Sequence, residues 1–339
     1  MRHPLPDPAA SSIRSPLDFA ADCRWVYVLM LVLLVLSQSL HAAGLCSIGI
    51  SQYACSTIAV PGASSTRANG VSNAGQVTGF YELLGTHGFI HSGSGVSALP
   101  DPAGSAAVYA FGVNDAGQVT GYTLGSGGYR GFVRNGGTYT TLAAPGAKDT
   151  YAFGINSAGQ VAGAFENANG VATGYVFSGG TFTSVSMPGA ASTYLYGIND
   201  SGMLAGTYAT SAGLVAGFTS QNGTFTSVSV PGAQRTFVRG LNGLGDLVGE
   251  YVDGLGTHGF VRLGSGEFWT FDIAGVLKTY GTSINNARTV VGYFGNEGAH
   301  QGFSAMPVPV PLPAALPLLS AGLLMLAGLR RRSRIATVS

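Results

Sequence analysis

The chain has 339 residues, 53 of them Gly, and only 9% of its side chains are charged. That much Gly beside 46% apolar residues excludes a flexible linker, and the lack of a Gly-X-Y period excludes collagen. A net charge of +1 leaves no footprint for nucleic acid, and so few charges disfavour an elaborate acid–base site.

The first element lies close to the N-terminus. Residues 25–36 read WVYVLMLVLLVL behind Arg24, and a polar stretch then ends in the small residues Ala42 and Ala43. This is the pattern of a secretory signal peptide cleaved near Ala42 or Ala43, because twelve apolar residues fall short of the roughly 20 that span a bilayer. Residues 1–43 are therefore read as a signal region, and Cys23 leaves with it. Cys46 and Cys55 remain, nine positions apart. In an exported chain they suggest one disulfide, pinning the mature N-terminus to its first strand.

Residues 44–304 carry an internal repeat. GVSNAGQVTG from Gly70 returns as GVNDAGQVTG from Gly112, GINSAGQVAG from Gly154, GINDSGMLAG from Gly197 and GLNGLGDLVG from Gly240. A degenerate sixth copy, SINNARTVVG, starts at Ser283, and successive copies are 42 or 43 residues apart. Each unit also carries a Gly-aromatic pair, such as Gly174-Tyr175, and most close on Pro-Gly. The third copy predicts four short strands, at 151–156, 160–165, 174–177 and 181–186, joined by turns and by a polar loop at 166–173. Four strands in about 42 residues is the size of a propeller blade.

The chain ends complete this reading. The repeat region opens on a fourth-strand segment, residues 56–62, and closes near Phe303 without a fourth strand. Complementary ends are what a closed ring needs, whereas an open solenoid calls for caps. The expected fold is all-β: a six-bladed β-propeller of four-stranded repeats, closed by the N-terminal strand. Gly79, Gly121, Gly163, Gly206, Gly249 and Gly292 recur inside the second strand, where they would allow close packing around the axis and face the recurrent aromatic. Arg288 replaces the usual turn glycine, so its turn should differ or be strained. The repeat, with its G-I-N-x-x-G-Q-V-x-G core and an H-G-F element kept at His87 and His258, resembles the HAF-family extracellular repeats over residues 56–304. That resemblance implies export and repetition, and no established chemistry.

A Pro-rich spacer, residues 305–311, leads to the last element. Val310, Pro311, Leu312, Pro313 and Ala314 open an apolar stretch that runs to Leu329, and Arg330, Arg331, Arg332 and Arg334 follow it. Basic residues favour the cytoplasmic side, which places the motif outside. The order of motif, short helix and Arg cluster over residues 310–335 resembles the VPLPA variety of PEP-CTERM sorting signal. The resemblance implies a Gram-negative host and an exosortase-type processing enzyme as partner. It also implies transient insertion in the inner membrane, then delivery to the cell surface or an exopolysaccharide matrix.

Little in the repeats suggests catalysis. The Asn-Asp pairs at 114–115 and 199–200 align with Ser-Asn, Asn-Ser, Asn-Gly and Asn-Asn elsewhere, which is turn chemistry and not calcium chemistry. His87 and His258 stand in distant units and are read as structural. No metal or cofactor is expected. The connections between second and third strands diverge most and carry Glu82 and Glu166, while Arg67 and Arg239 fall on first strands that should line the channel. These four residues are the candidate ligand-binding set, and either Arg could meet an anionic sugar. Without its leader and tail the chain keeps nine Lys and Arg against twelve Asp and Glu, too scattered to give the carboxylate pair of a hydrolase. The expected function is a non-enzymatic surface or matrix protein, a scaffold that binds polysaccharide or protein; the alternative is a polysaccharide-active lyase or hydrolase.

Overall fold

A computed structural model describes residues 44–48, 51–93, 95–296 and 298–307. The signal region, the cleavage positions Ala42 and Ala43, the sorting motif and the Arg cluster lie outside the described residues. Among the described residues every regular element is a strand, and no helix is long and apolar enough to cross a membrane.

The strands pair into small antiparallel sheets in a β-propeller arrangement. Three sheets are four-stranded meanders in chain order, beginning at Asp149–Ile155, Ser192–Ile198 and Arg235–Leu241. An eight-stranded sheet covers the first two repeats, and its halves meet at one parallel pair, Thr86 with Ala107. In the fifth sheet Thr279–Ile284, Val290–Asn296 and Ala299–Pro307 are followed in space by Ser51–Ile58 and Gly44–Ile48. There Thr57 pairs with Phe303 and Ile58 with Gly302. Cys55, on Ser51–Ile58, is disulfide-bonded.

In the third repeat the strands are Asp149–Ile155, Val161–Glu166, Ala172–Ser178 and Thr181–Val185. The polar loop is shorter than the sequence suggests. Glu166 still pairs with Ala172, because Asn167 Oδ1 accepts the amides of Asn169 and Val171 and closes a tight turn.

The core lies between neighbouring sheets, where layered elements bury their apolar faces. Ala205, Val228 and Val230 of the fourth repeat pack with Val238, Leu247 and Phe260 of the fifth. Phe89, Phe218 and Phe260 have no exposed surface, and burying each side chain contributes about 1.5–3 kcal/mol. Each recurrent aromatic lies opposite a second-strand glycine, as in Gly163 with Tyr175. A Cβ at Gly163 would strike the Tyr151 carbonyl and the Tyr175 ring. This close packing is therefore within a sheet. Close approach between repeats falls instead to the glycine that opens the first five core motifs. A Cβ on Gly154 would lie 2.7 Å from the Tyr196 carbonyl oxygen and 3.0 Å from Gly197 Cα.

Hydrogen bonds run from each repeat to the next and from the last to the first. Asn156 Nδ2 donates to Asn199 O (3.3 Å), Asn199 to Asn242 O (3.1 Å), Asn242 to Asn285 O (3.0 Å), and Asn285 to Ser72 O (3.0 Å). The same Asn156 accepts the Gln160 amide through Oδ1, so the turn reading holds and is joined by a second role. The neighbouring turn residues also staple repeats: Asp200 accepts from Ser157 N and Oγ, each at 2.8 Å.

Arg288 keeps the glycine-like turn, at φ 59°. Its guanidinium meets the buried carboxylate of Asp246 at 2.8 Å, and that contact offsets a left-handed conformation otherwise unfavourable by about 1–2 kcal/mol.

Candidate functional site

The first strand of every repeat carries a β-bulge at the same place. Pairing skips from Ala152 to Gly154, from Leu195 to Gly197 and from Val238 to Gly240. The skipped residues are Phe153, Tyr196 and Arg239. A bulge re-aims a side chain that alternation would place on the other face. Residues two positions earlier, such as Arg67, Tyr151 and Tyr194, point the same way, and both sets border one cavity of about 400 Å³.

The cavity walls are aromatic. Phe80 meets Tyr109 edge-on at 5.0 Å, and Tyr109 stacks on Tyr122 at 4.8 Å. Tyr122 in turn stacks on Phe111 at 5.3 Å; Phe111 meets Phe153 at 5.1 Å, and Phe153 meets Tyr196 at 4.7 Å. An arginine stands at each end of this band: Arg67 lies over Phe80 (5.3 Å) and Tyr293 (5.2 Å), and Arg239 over Tyr196 (4.6 Å). Six apolar residues, Val71, Val113, Ile155, Ile198, Leu241 and Ile284, border both the cavity and a smaller depression beside the Asn turns. They form an apolar septum between the two spaces.

The two arginines differ in their partners. Arg239 holds Glu250 through Nε (2.9 and 3.2 Å) and Nη2 (2.6 Å). Burial opposes its charge, but the Glu250 carboxylate together with the Tyr196 and Tyr293 phenols outweighs burial and raises its pKa further. Arg67 has neutral partners, the two ring faces and His300 Nδ1 at 3.3 Å from Nη2. Its Nε is buried without a hydrogen-bond partner. Burial and the Arg67 charge both hold His300 below the usual imidazole range.

Glu166 borders the cavity and accepts a hydrogen bond from Tyr194 Oη at 2.6 Å. Burial and Glu166 push the Tyr194 phenol up, burial pushes up Tyr122 and Tyr196, and Tyr293 rises to about 12. These phenols are neutral donors and acceptors at ordinary pH. Glu82 does not border the cavity; its carboxylate acts on His300 from the strand end.

The structure thus brings Arg67, Arg239 and Glu166 around one space and leaves Glu82 outside it. Apart from Glu166, no described residue of the divergent connections lines the cavity, although His300 of the last one contacts Arg67. Sequence reasoning missed Tyr122, Tyr151, Tyr194, Tyr196 and Tyr293. The available signal was the pair of aromatics two and four residues ahead of Ile155 and Ile198.

His87 and His258 do not meet. His87 Nδ1 contacts Asp101 at 2.7 Å, and His258 lies between Asp253 (3.2 Å) and Asp272 (2.9 Å). Among the described residues no group of three or more His, Cys, Asp or Glu is placed to hold a metal ion.

No protein family matches the chain, and neither does any curated protein. Solved structures of similar fold include virginiamycin B lyase from Staphylococcus aureus, with TM-score 0.46 and 11% identity over 76% of this chain and 100% of that one. Another is the fungal lectin of Aleuria aurantia, described as a six-bladed β-propeller, with TM-score 0.45 and 13% identity over 76% of this chain and 99% of that one. A third is Trypanosoma rangeli sialidase, with TM-score 0.46 and 9% identity over 84% of this chain and 58% of that one.

Proposed function

We propose that the protein is a non-enzymatic, exported carbohydrate-binding propeller, and that its ligand occupies the aromatic cavity. One observation carries this reading: a cavity of about 400 Å³ walled by tyrosine and phenylalanine rings and edged with neutral hydroxyls, two arginines and one carboxylate. A sugar offers apolar C–H faces to aromatic faces and hydroxyls to polar tips, and tyrosine supplies both surfaces from one side chain. The volume lies within the range of small-ligand sites.

The propeller is read as six-bladed. The eight-stranded sheet counts as two blades because a single bridge, Thr86 with Ala107, joins its halves. The Ser51–Ile58 strand then supplies the fourth strand of the last blade. The hydrogen bonds from Asn285 to Ser72 and from Thr282 Oγ1 to Ala68 O support closure. Export through the signal region, a Cys46–Cys55 disulfide, and sorting by an exosortase-type enzyme at Val310–Ala314 to a surface or exopolysaccharide matrix belong to the same proposal. They rest on the sequence, with the disulfide-bonded state of Cys55 in keeping with an exported chain.

A catalytic reading draws on the Tyr194–Glu166 hydrogen bond. Binding is preferred because Glu250 is engaged by Arg239, and because a phenol raised by a neighbouring carboxylate is a poor match for proton transfer near neutrality. The test is a glycan array probed with the purified full chain, followed by titration of the best ligand. Binding should weaken at least tenfold in Tyr196→Ala, with the fold checked by circular dichroism. Binding to no glycan, or equal binding by the variant, would overturn the site; release of shortened or unsaturated sugars would favour the enzyme.

A further inference from the structure

Resting on the carbohydrate reading above, we propose that Arg67 is a carboxylate subsite and that the ligand is therefore an acidic saccharide of the uronate class. Its carboxylate sits on Arg67, and its hydroxyls donate to Glu166 in the same cavity.

The argument starts from the contrast between the two arginines. A cation taken out of water needs a counter-charge, and a planar guanidinium is best satisfied by a carboxylate. Arg239 meets this need inside the protein, with three contacts to Glu250 of 2.6 to 3.2 Å. Arg67 does not: among the described residues no carboxylate lies within ion-pair distance of it, and its contacts are Phe80, Tyr293 and the His300 nitrogen. Those contacts hold the side chain in place at the cavity wall without neutralising it. Phe80 of its own repeat and Tyr293 of the sixth fix its plane, so the fork is pre-organised and little of its rotamer entropy remains to be lost on binding.

A carboxylate also borders the cavity. Glu166 stands two repeats away, has one hydrogen bond from Tyr194 Oη, and has lone pairs left for sugar hydroxyls. The same cavity is bordered by Tyr109, Tyr122 and Tyr151. A cavity with one uncompensated cation, one hydrogen-bonded carboxylate and aromatic walls fits a sugar carrying both a carboxylate and hydroxyls. A neutral sugar would leave Arg67 without a counter-charge in the complex as well.

The test is calorimetry of the full chain with oligomers of glucuronate, galacturonate and mannuronate, each beside its carboxyl-reduced neutral counterpart. We expect at least one acidic oligomer to bind tenfold or more tightly than its reduced form, with affinity falling as salt rises. Arg67→Gln should remove that difference, bringing the acidic oligomer down to the affinity of its reduced form measured in the same variant. Arg67→Lys keeps the charge without the fork and should restore part of it. As an independent readout, the acidic oligomer should raise the Tm of the wild type and not that of Arg67→Gln. Equal affinity for acidic and reduced forms, or an acidic preference that survives in Arg67→Gln, refutes the subsite while the carbohydrate reading stands. Failure of every oligomer, acidic and neutral, refutes the subsite, and joined to binding of no glycan on the array it refutes the carbohydrate reading too.

Discussion

Removal of Glu250 is the sharpest test of how the cavity is built. Its carboxylate is 5% exposed and the Arg239 side chain 28% exposed, so Glu250→Gln leaves a guanidinium deep in the molecule without its counter-charge. Breaking a buried pair from one side costs about 3–5 kcal/mol. Arg239 keeps the faces of Tyr196 at 4.6 Å and Phe237 at 5.1 Å and borders the cavity, which argues for the lower end, about 3 kcal/mol. For a domain of this size that corresponds to a fall in Tm of about 6–12 °C. Denaturant and thermal unfolding of the variant should read this loss. Replacing both partners, as Arg239→Met with Glu250→Leu, should bring stability back to within about 1 kcal/mol of wild type, since the cost lies in the orphaned charge. A loss below about 1 kcal/mol in Glu250→Gln, or a double variant as weak as the single one, would show that the pair does not hold the wall. Glu250→Gln should also bind acidic oligomers more tightly than wild type, because it frees a second arginine at the cavity.

Other expectations follow from the same contacts. Asp272 and Asp253 together raise the His258 pKa against the lowering effect of burial. The stability this adds is complete below about pH 6.5 and is lost as pH rises through the raised folded value, so unfolding curves from pH 6 upward should slope in wild type and flatten in His258→Gln. Arg288→Gly relieves a left-handed residue but strips the buried Asp246 of its cation; a net loss of about 1–2 kcal/mol is expected, and adding Asp246→Gln, the residue of the first three repeats, should recover it. Gly163→Ala drives a Cβ into the Tyr151 carbonyl and the Tyr175 ring and should abolish cooperative thermal unfolding, whereas Gly93→Ala, with open space around it, should be neutral. Replacing Pro311 and Pro313 should leave the protein uncleaved in the membrane fraction; unchanged release would refute the sorting signal.

The repeat made much of the architecture readable. Its period set the strand count per unit, and the strands of the third repeat fall within about two residues of their expected places. Facing pairs such as Gly163 with Tyr175 could also be anticipated, since both partners recur at fixed spacing. The bulges could not. Bulging leaves Phe153, Tyr196 and Arg239 out of the pairing, whereas alternation alone treats those strands as regular. The sequence reading therefore grouped Arg67 and Arg239 as alike, although Arg67 aligns with Tyr151 and Arg239 with Phe153. It also looked for binding in the divergent connections. The divergence that lines the cavity is in the strands, where equivalent positions carry different side chains on one backbone.

Charge at the cavity follows from this divergence. In two repeats that depart from their neighbours by introducing a cation, a second departure answers it. Arg239 appears with Glu250, at the position where the third repeat has Ala164, and Arg288 appears with Asp246, where that repeat has Gln160. Both pairs sit in the last two repeats, joining adjacent strands or adjacent sheets. Arg67 departs in the same manner, at a position held by Tyr or Phe in the other five repeats, yet its equivalent answering position holds Phe80. A half-buried cation without an internal counter-charge lowers the stability of the empty protein. Among the described residues no carboxylate answers Arg67, and because its side chain borders the cavity, a ligand carboxylate is the counter-charge proposed for it.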